Sequence, residues 1–279
     1  MNLKVWCDNQ KMKNRVITIH TNDTNVSLKT KKVLTRKLEG SGFIPSDVLE
    51  KETELIVCIG GDGALLEGIH KLGFPDIPFI GINTGHLGFF QEISPNQLDD
   101  FIFNYKTGKY RLQTLSAVKA VIKNEHGESF EHIGLNEIVI RGEDSHPVHL
   151  NISIGGSFIE RFSGDGILVA TPAGSTAYNY SLGGCIVDPR LTLIQVTPIA
   201  PMNTTAYRSF TSSILLPSDL SLGIIPEYMK KHGIKITTDH LEYTYQDLSN
   251  ISIQFPDKIV NLLRFETYDF WNKVKSKFL

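Results

Sequence analysis

The sequence predicts an N-terminal open parallel α/β domain followed by a second, mostly antiparallel β domain. Three observations carry this. Residues 55–59 (LIVCI) and 79–82 (FIGI) are continuous apolar runs, each close to a glycine cluster. Strands apolar on both faces belong to parallel sheets covered by helices. A helical pattern follows the first run, and the connections are short, as strand–helix–strand units require. After about Thr107 the rhythm changes, and residues 148–154 (VHLNISI) alternate strictly between apolar and polar. That period of two marks an antiparallel strand with one face toward a core.

Taken in order, residues 16–19 (VITI) are a short β-branched run, a strand signal. Apolar residues then recur at 26, 28, 33, 34 and 38, a loosely helical spacing that ends before Gly40 and Gly42. Residues 55–59 are a buried strand, and 64–72 a helix stopped by Gly73. After the strand at 79–82, Ser94 and Pro95 open a helix that runs to about Tyr105, with Ser as N-cap and Pro in the first turn. Residues 112–123 alternate as one run, and 124–127 (NEHG) turn into Glu128. Gly155-Gly156 closes a hairpin behind 148–154. Further strands are expected at 166–170, 191–196, 213–216, 234–238, 242–245 and 251–255. Residues 265–279 read as an amphipathic helix, with Phe270, Trp271, Val274 and Phe278 at roughly helical spacing. It is expected to leave the β region and pack elsewhere. The expected domains are residues 1–106, completed by the helix 265–279, and residues 107–264.

Composition excludes several classes. A chain of 279 residues with 41% apolar and 21% charged residues is an ordinary globular composition, enough for one large domain or two. Lys and Arg number 28 against 30 Asp and Glu, a net charge of −2, so no global basic field points to nucleic acid or a membrane surface. Cys7, Cys58 and Cys185 are too scattered for a disulfide framework or a zinc site. Residues 166–187 carry no charge, but their glycines, hydroxyls and proline are unlike a hydrocarbon-spanning helix. A reduced, cytoplasmic, enzyme-sized protein without a nucleic-acid or membrane partner is expected.

Four clusters carry chemistry. Gly60-Gly61-Asp62-Gly63 sits between a buried strand and a helix. Glycines there admit positive φ and close approach of a ligand, and a helix N-terminus offers N–H groups to phosphate. Asp62 would repel phosphate directly; it suits a divalent metal or a hydroxyl proton, or, in the plain structural reading, it caps the helix. No Walker A pattern is present. The second cluster, residues 81–90 (GINTGHLGFF), also follows a strand, where open α/β sheets bind ligands. Phe89 and Phe90 are either base-stacking aromatics or core, and His86 either a base or a structural imidazole. Third, Asn136-Glu137 interrupts the apolar LNEIVI. Such a pair either holds a base edge or ribose, or faces water at a strand end. Fourth, residues 164–184 (GDGILVATPAGSTAYNYSLGG) run a strand into a small-residue turn rich in neutral hydrogen-bonding groups. They suit a polar, planar ligand or a tightly packed interface.

Together, GGDG, TGHLGF, the NE pair and GDG…TPAGSTAY…GG resemble the NAD kinase family in order and spacing, from about Arg15 to Phe278, and RFETYDFWNKVKSKFL resembles the ending of its short Gram-positive bacterial members. The resemblance implies transfer of the terminal phosphate of ATP, or of polyphosphate, to the 2′-hydroxyl of the adenosine ribose of NAD. It implies Mg²⁺ bound mainly through the ATP phosphates. Asp62 matches the proton-accepting aspartate and Gly63 its neighbour in the ligand loop. Phe89 matches an aromatic lining the site, and Asn136 and Glu137 the pair holding the ribose region. Ala173, Thr176, Ala177 and Tyr178, with Asn179, Tyr180 and Ser181, match the segment around the adenine. Asp165 and Ala200 match positions near the nicotinamide half, which family homodimers and homotetramers build partly from a neighbouring subunit. His240 replaces the glycine of a frequent Asp-Gly. Two positions depart from the pattern. Ala64 stands where many members have Thr, and Ser163 where relatives carry a basic residue; Arg161, two residues earlier on an alternating strand, is the candidate substitute. The alternative within enzymes is a lipid kinase of the diacylglycerol or sphingosine type, which shares GGDG, and the alternative from a different class is a non-catalytic dinucleotide sensor.

Overall fold

The computed structural model describes residues 15–85, 88–227 and 233–278; Cys7 and His86 lie outside them. The chain divides into two units. The first holds the residues up to Gly73, Ile77–Leu112 and the C-terminal stretch from Leu262; the second holds Phe74–Asp76 and Gln113–Asn261.

The first unit begins with β1 (Val16–Thr21), α1 (Asn25–Gly40), β2 (Ile44–Ser46), β3 (Thr53–Gly60) and α2 (Asp62–Lys71). It continues with β4 (Phe79–Asn83), β5 (Gln91–Ile93) and α3 (Leu98–Lys106). Helix α1 starts earlier than its apolar spacing predicts because Thr24 caps it, Oγ1 accepting the Ser27 N–H at 3.3 Å. Ser94 caps as expected, with Gln97 closing a capping box over a short turn at Pro95 that leads into α3. Leu55, Val57 and Ile59 of β3 and Ile80 and Ile82 of β4 pack with Leu34 and Leu38 of α1 and Phe101 of α3 in one core.

The expected single run at 112–123 is two strands in different sheets, β6 (Arg111–Ser116) and β7 (Val118–Asn124). Ala117 and Val118 are buried in succession, which breaks the period of two and ends one strand. The second unit continues with β8 (Ser129–Gly134), β9 (Glu137–Gly142), β10 (Val148–Ile154), β11 (Ser157–Gly164) and β12 (Gly166–Ala170). A single helical turn, α4 (Tyr178–Ser181), precedes β13 (Leu193–Ile199), β14 (Ile214–Pro217), β15 (Leu222–Pro226), β16 (Ile234–Thr238), β17 (Leu241–Tyr245) and β18 (Leu248–Gln254). The strands form two antiparallel sheets, β11-β10-β15-β18-β7-β8 and β14-β13-β12-β9-β16-β17. Alternate residues of the two sheets share one core, with Leu150, Ile152, Ile251 and Ile253 from the first and Ile138, Ile140, Ile167 and Ile236 from the second. Glu137, Val139 and Arg141 therefore point to the opposite face of β9.

The chain then returns to the first unit as β19 (Ile259–Arg264) and α5 (Phe270–Phe278). Strand β19, absent from the sequence reading, pairs parallel with β4, in the order β2-β1-β3-β4-β19-β6 with β5 beside β4. The last helix is shorter than the expected 265–279: Asp269 Oδ1 accepts the Asn272 N–H at 3.1 Å, so the helix begins at Phe270. Phe270 and Val274 are buried, whereas Trp271 is half exposed and falls outside the expected stripe. No helix among the described residues is long and apolar enough to cross a membrane.

Candidate active site

In the first unit, β3 ends at Gly60 with φ 152°, and Gly61 is the N-cap of α2. Asp62 is thus the first helical residue and not the cap that the structural reading of GGDG required. Its carboxylate reaches the second glycine cluster: Oδ2 accepts the Phe89 N–H at 2.8 Å and Oδ1 the Phe90 N–H at 3.0 Å. Gly88 permits this, since a Cβ there would lie 2.7 Å from Asp62 Cγ. Gln91 Nε2 donates to Gly61 O at 2.7 Å, and the Thr84 N–H to Gly60 O at 3.2 Å. The two glycine clusters therefore meet at the carboxyl ends of the neighbouring parallel strands β3 and β4. Among the described residues a Cβ on Gly63 would meet nothing within 4 Å, so no described group fills the space at the start of α2.

The ring of Phe89 is buried beneath α5, with centroids 5.8 Å from Phe270 and 5.7 Å from Phe278, and Lys277 Nζ 4.9 Å over its face. Phe90 is buried too. Both side chains take the core position, and it is their backbone N–H groups that touch Asp62.

In the second unit, Asn136 and Glu137 stand at the start of β9, each 7% exposed. They are held from behind. Asp239, in the turn between β16 and β17 at φ 54°, accepts the N–H groups of Leu135 at 2.9 Å, Asn136 at 2.7 Å and Glu137 at 3.2 Å. Among the described residues, Asn136 Oδ1 and Glu137 Oε2 have no hydrogen-bond partner. A buried acceptor left unpaired costs about 1–3 kcal/mol, which a polar ligand would relieve. Burial, and then the charge of Asp239, push the Glu137 carboxyl up to about 8.

The segment after β12 is pressed onto this pair. Thr171 Oγ1 donates to Leu135 O at 2.6 Å and accepts the Gly174 N–H at 3.1 Å, while the Thr171 N–H donates to Asn136 O at 2.8 Å. A Cβ on Gly174 would come 2.6 Å from Asn136 Cα. Ser175 and Asn179 are fully buried, and their side chains are spent inside the protein. Ser175 Oγ binds Pro172 O and the Val187 backbone; Asn179 binds Ser175 O and Cys185 O and accepts from Thr197 Oγ1 at 2.7 Å. Ala173, Ala177 and Tyr178 are partly exposed, Thr176 is buried with Oγ1 on Ala173 O, and Tyr180 and Ser181 face solvent.

A cleft of about 520 Å³ opens over the outer face of β9 and β16, lined among others by Glu137, Arg141, Asp165, Tyr178, Thr237 and Asp239. Arg141 has no counterpart in the sequence reading. Its Nη2 donates to the Tyr178 hydroxyl, its guanidinium lies 5.3 Å from that ring's centroid, and its buried Nε has no partner among the described residues. The signal available in the sequence was its place two and four residues beyond Val139 and Glu137 on one strand face. Ala200, at φ 44°, lines a separate cavity of about 460 Å³ with Cys185 and Thr197. His240 is exposed at the tip of its turn. Ser163 and Arg161 share the face of β11 opposite the core residue Phe162. Arg161 is forked onto Glu227 at 2.7 Å on both oxygens and lies 4.9 Å over the Tyr207 ring. That ion pair holds the Glu227 carboxyl below its usual range.

Two family models match the chain, the ATP-NAD kinase N-terminal domain over residues 7–110 and the ATP-NAD kinase C-terminal domain over residues 135–260. The NAD kinase of Finegoldia magna is 38% identical over 95% of this chain and 98% of its own length. The NAD kinase of Staphylococcus carnosus is 32% identical over 81% of this chain and 84% of its own. Among solved structures, yeast NADH kinase complexed with NADH superposes with a TM-score of 0.83 at 21% identity, covering 96% of this chain and 88% of that one. An NAD kinase from Archaeoglobus fulgidus in complex with ATP gives 0.71 at 21% identity, over 94% and 99%. At that identity the likeness is one of fold.

Proposed function

The chain belongs to the NAD kinase family, and from that premise we infer that it phosphorylates the 2′-hydroxyl of the adenosine ribose of NAD to make NADP, with ATP as the donor. The observation that carries the reading to particular residues is the pair of buried polar atoms without a partner among the described residues, Asn136 Oδ1 and Glu137 Oε2. A ribose hydroxyl can donate to the Asn136 amide oxygen, and because it both donates and accepts it can also meet the Glu137 carboxyl with its proton on. The lipid kinase and the non-catalytic sensor gain no support from the relatives.

The residue assignments are our proposal. Asp62 receives the proton of the attacking hydroxyl, and a positioned carboxylate of this kind contributes about 10²–10⁴-fold. Gly63 leaves the start of α2 open to phosphate. Asn136, Glu137 and Tyr178 hold the adenosine half in the cleft, and Asp165 and Ala200 face the nicotinamide half, completed by a neighbouring subunit in a homodimer or homotetramer. Among the described residues no group of three or more His, Cys, Asp or Glu side chains is placed to hold a metal ion. Mg²⁺ belongs to the proposal as part of the ATP substrate, carried mainly on its phosphates, where it would neutralise charge. Polyphosphate is an alternative donor of the same chemistry. A cytoplasmic location goes with the supply of both nucleotides.

The test is direct. Incubation with NAD, ATP and Mg²⁺ should yield NADP, read with a dye reduced through an NADP-specific dehydrogenase. No NADP from either donor would overturn the reading.

A further inference from the structure

Asp62 is the end of two hydrogen-bonded chains that begin at cations on the C-terminal segment of the same unit. The Phe89 N–H that binds Asp62 Oδ2 belongs to the same peptide group as Gly88 O. Gly88 O accepts from Lys273 Nζ at 3.1 Å. The Phe90 N–H that binds Asp62 Oδ1 shares its peptide group with Phe89 O. Phe89 O accepts from Lys273 Nζ, Arg264 Nη2 and the Tyr268 hydroxyl, each at 3.4 Å. Arg264 Nη1 continues to Phe90 O at 2.9 Å, and Lys273 also donates to Gln91 O. Four consecutive carbonyls, residues 88–91, thus face donors from residues 264–273.

A cation on a carbonyl oxygen draws electron density through the amide and makes the N–H of that peptide group a stronger donor. We propose that Lys273 and Arg264 are positioning residues for Asp62, acting through the peptide groups between Gly88 and Phe90. The proposal rests on the reading of Asp62 as the base. Arg264 is built in: it is 1% exposed, pairs with Glu92 at 3.0 Å, and lies 3.7 Å over the Tyr268 ring. Glu92 is fixed in turn by the Phe265 N–H at 2.8 Å. Lys273 is unlike a surface lysine. Burial and the nearby Arg264 and Lys277 lower its ammonium to about 8, against the opposing charges of Glu92 and Asp62. A lysine that served only to solubilise α5 would point its ammonium to water, as the exposed Lys275 does.

Removing Arg264 would strand the buried Glu92 and risk the fold, so Lys273 is the residue to vary. The experiment compares Lys273→Met, Lys273→Arg and the charge control Lys275→Met, each with Asp62 intact and with Asp62→Asn. We expect Lys273→Met to lower kcat about tenfold with KM for NAD within about twofold. Lys273→Arg should recover most of the loss, and Lys275→Met should change nothing. With Asp62→Asn in place, Lys273→Met should alter the residual kcat by less than about twofold, because the chain has lost its end. A tenfold loss that persists in that background would overturn the proposal. A second readout needs no activity: the Phe89 and Phe90 amides should exchange at least about tenfold faster in Lys273→Met while the amides of β3 stay unchanged. Equal exchange would also overturn it. Wild-type turnover in Asp62→Asn alone would instead remove Asp62 from the chemistry, and the exchange rates would then decide the relay by themselves.

Discussion

Asp239 lies against the backbone of Asn136, Oδ1 accepting its N–H at 2.7 Å across 103 residues of sequence. The same carboxylate takes the N–H groups of Leu135 and Glu137, so one turn between β16 and β17 fixes three successive peptide groups at the start of β9. Asp239→Asn leaves one oxygen and turns an amide NH₂ toward N–H donors. The expected loss is about 1–3 kcal/mol of stability with weaker NAD binding, measured by urea unfolding and calorimetric titration. Unchanged affinity would show that the ribose pair does not depend on this support.

Glu137 supplies a pH signature. Its folded-state carboxyl is raised from 4.5 to about 8, by burial first and by Asp239 second. The folded chain therefore holds a proton that the unfolded chain gives up. The stability linked to it is complete below about 4.5 and is lost as pH rises through about 8. Glu137→Gln should flatten this part of the profile, so that wild type and variant differ more at about pH 8.5 than at about pH 5.5 in urea midpoint, in the variant's favour. Parallel profiles would show that Glu137 is ionised throughout.

Two glycines should behave oppositely when changed to alanine. At Gly63 the new methyl meets nothing among the described residues and helix propensity gains up to about 1 kcal/mol, so the melting temperature should hold or rise while kcat/KM for ATP falls at least about fivefold. Unaltered kinetics would remove Gly63 from the ligand loop. At Gly174 the methyl meets the backbone of Asn136, which cannot rotate away. Overpacking of this kind costs about 1–3 kcal/mol or more, and both stability and NAD affinity should fall together.

Assembly is open to a mixing test. Asp62→Asn and Asp165→Arg are each expected to be inactive. After dissociation and reassociation together, some mixed oligomers should regain activity, because one chain supplies an intact Asp62 and its neighbour an intact Asp165. Mixed oligomers verified by mass without recovered turnover would confine each site to a single chain and leave the kinase reading standing.

What the sequence determined by itself is what neighbours along the chain encode. The apolar runs at β3 and β4 marked the parallel sheet, the alternation at β10 marked the antiparallel region, and Ser94 and Pro95 marked a helix start. Four motifs in order identified the chemistry. These signals are local, since a strand or a cap is written in residues within a few positions of one another. Where local signals are weak or mixed, expectation and structure part: β2, β5, β15 and β19 have no counterpart among the expected strands, 112–123 is two strands and not one, and α5 begins at Phe270 and not at 265. Only the tertiary structure decided which side chains of the motifs build the scaffold. Asn179 and Ser175 looked like ligand groups and are spent on buried carbonyls and N–H groups. Asp62 could be read as a cap and instead binds Phe89 and Phe90, 27 and 28 residues away. Arg264 and Lys273 carried no chemical motif, yet they reach Phe90 and Gly88 across 174 and 185 residues. Contacts at such separations depend on which strands become neighbours and in which register. Many chain segments carry the same polar residue types, and only the folded sheet selects the pair that meets.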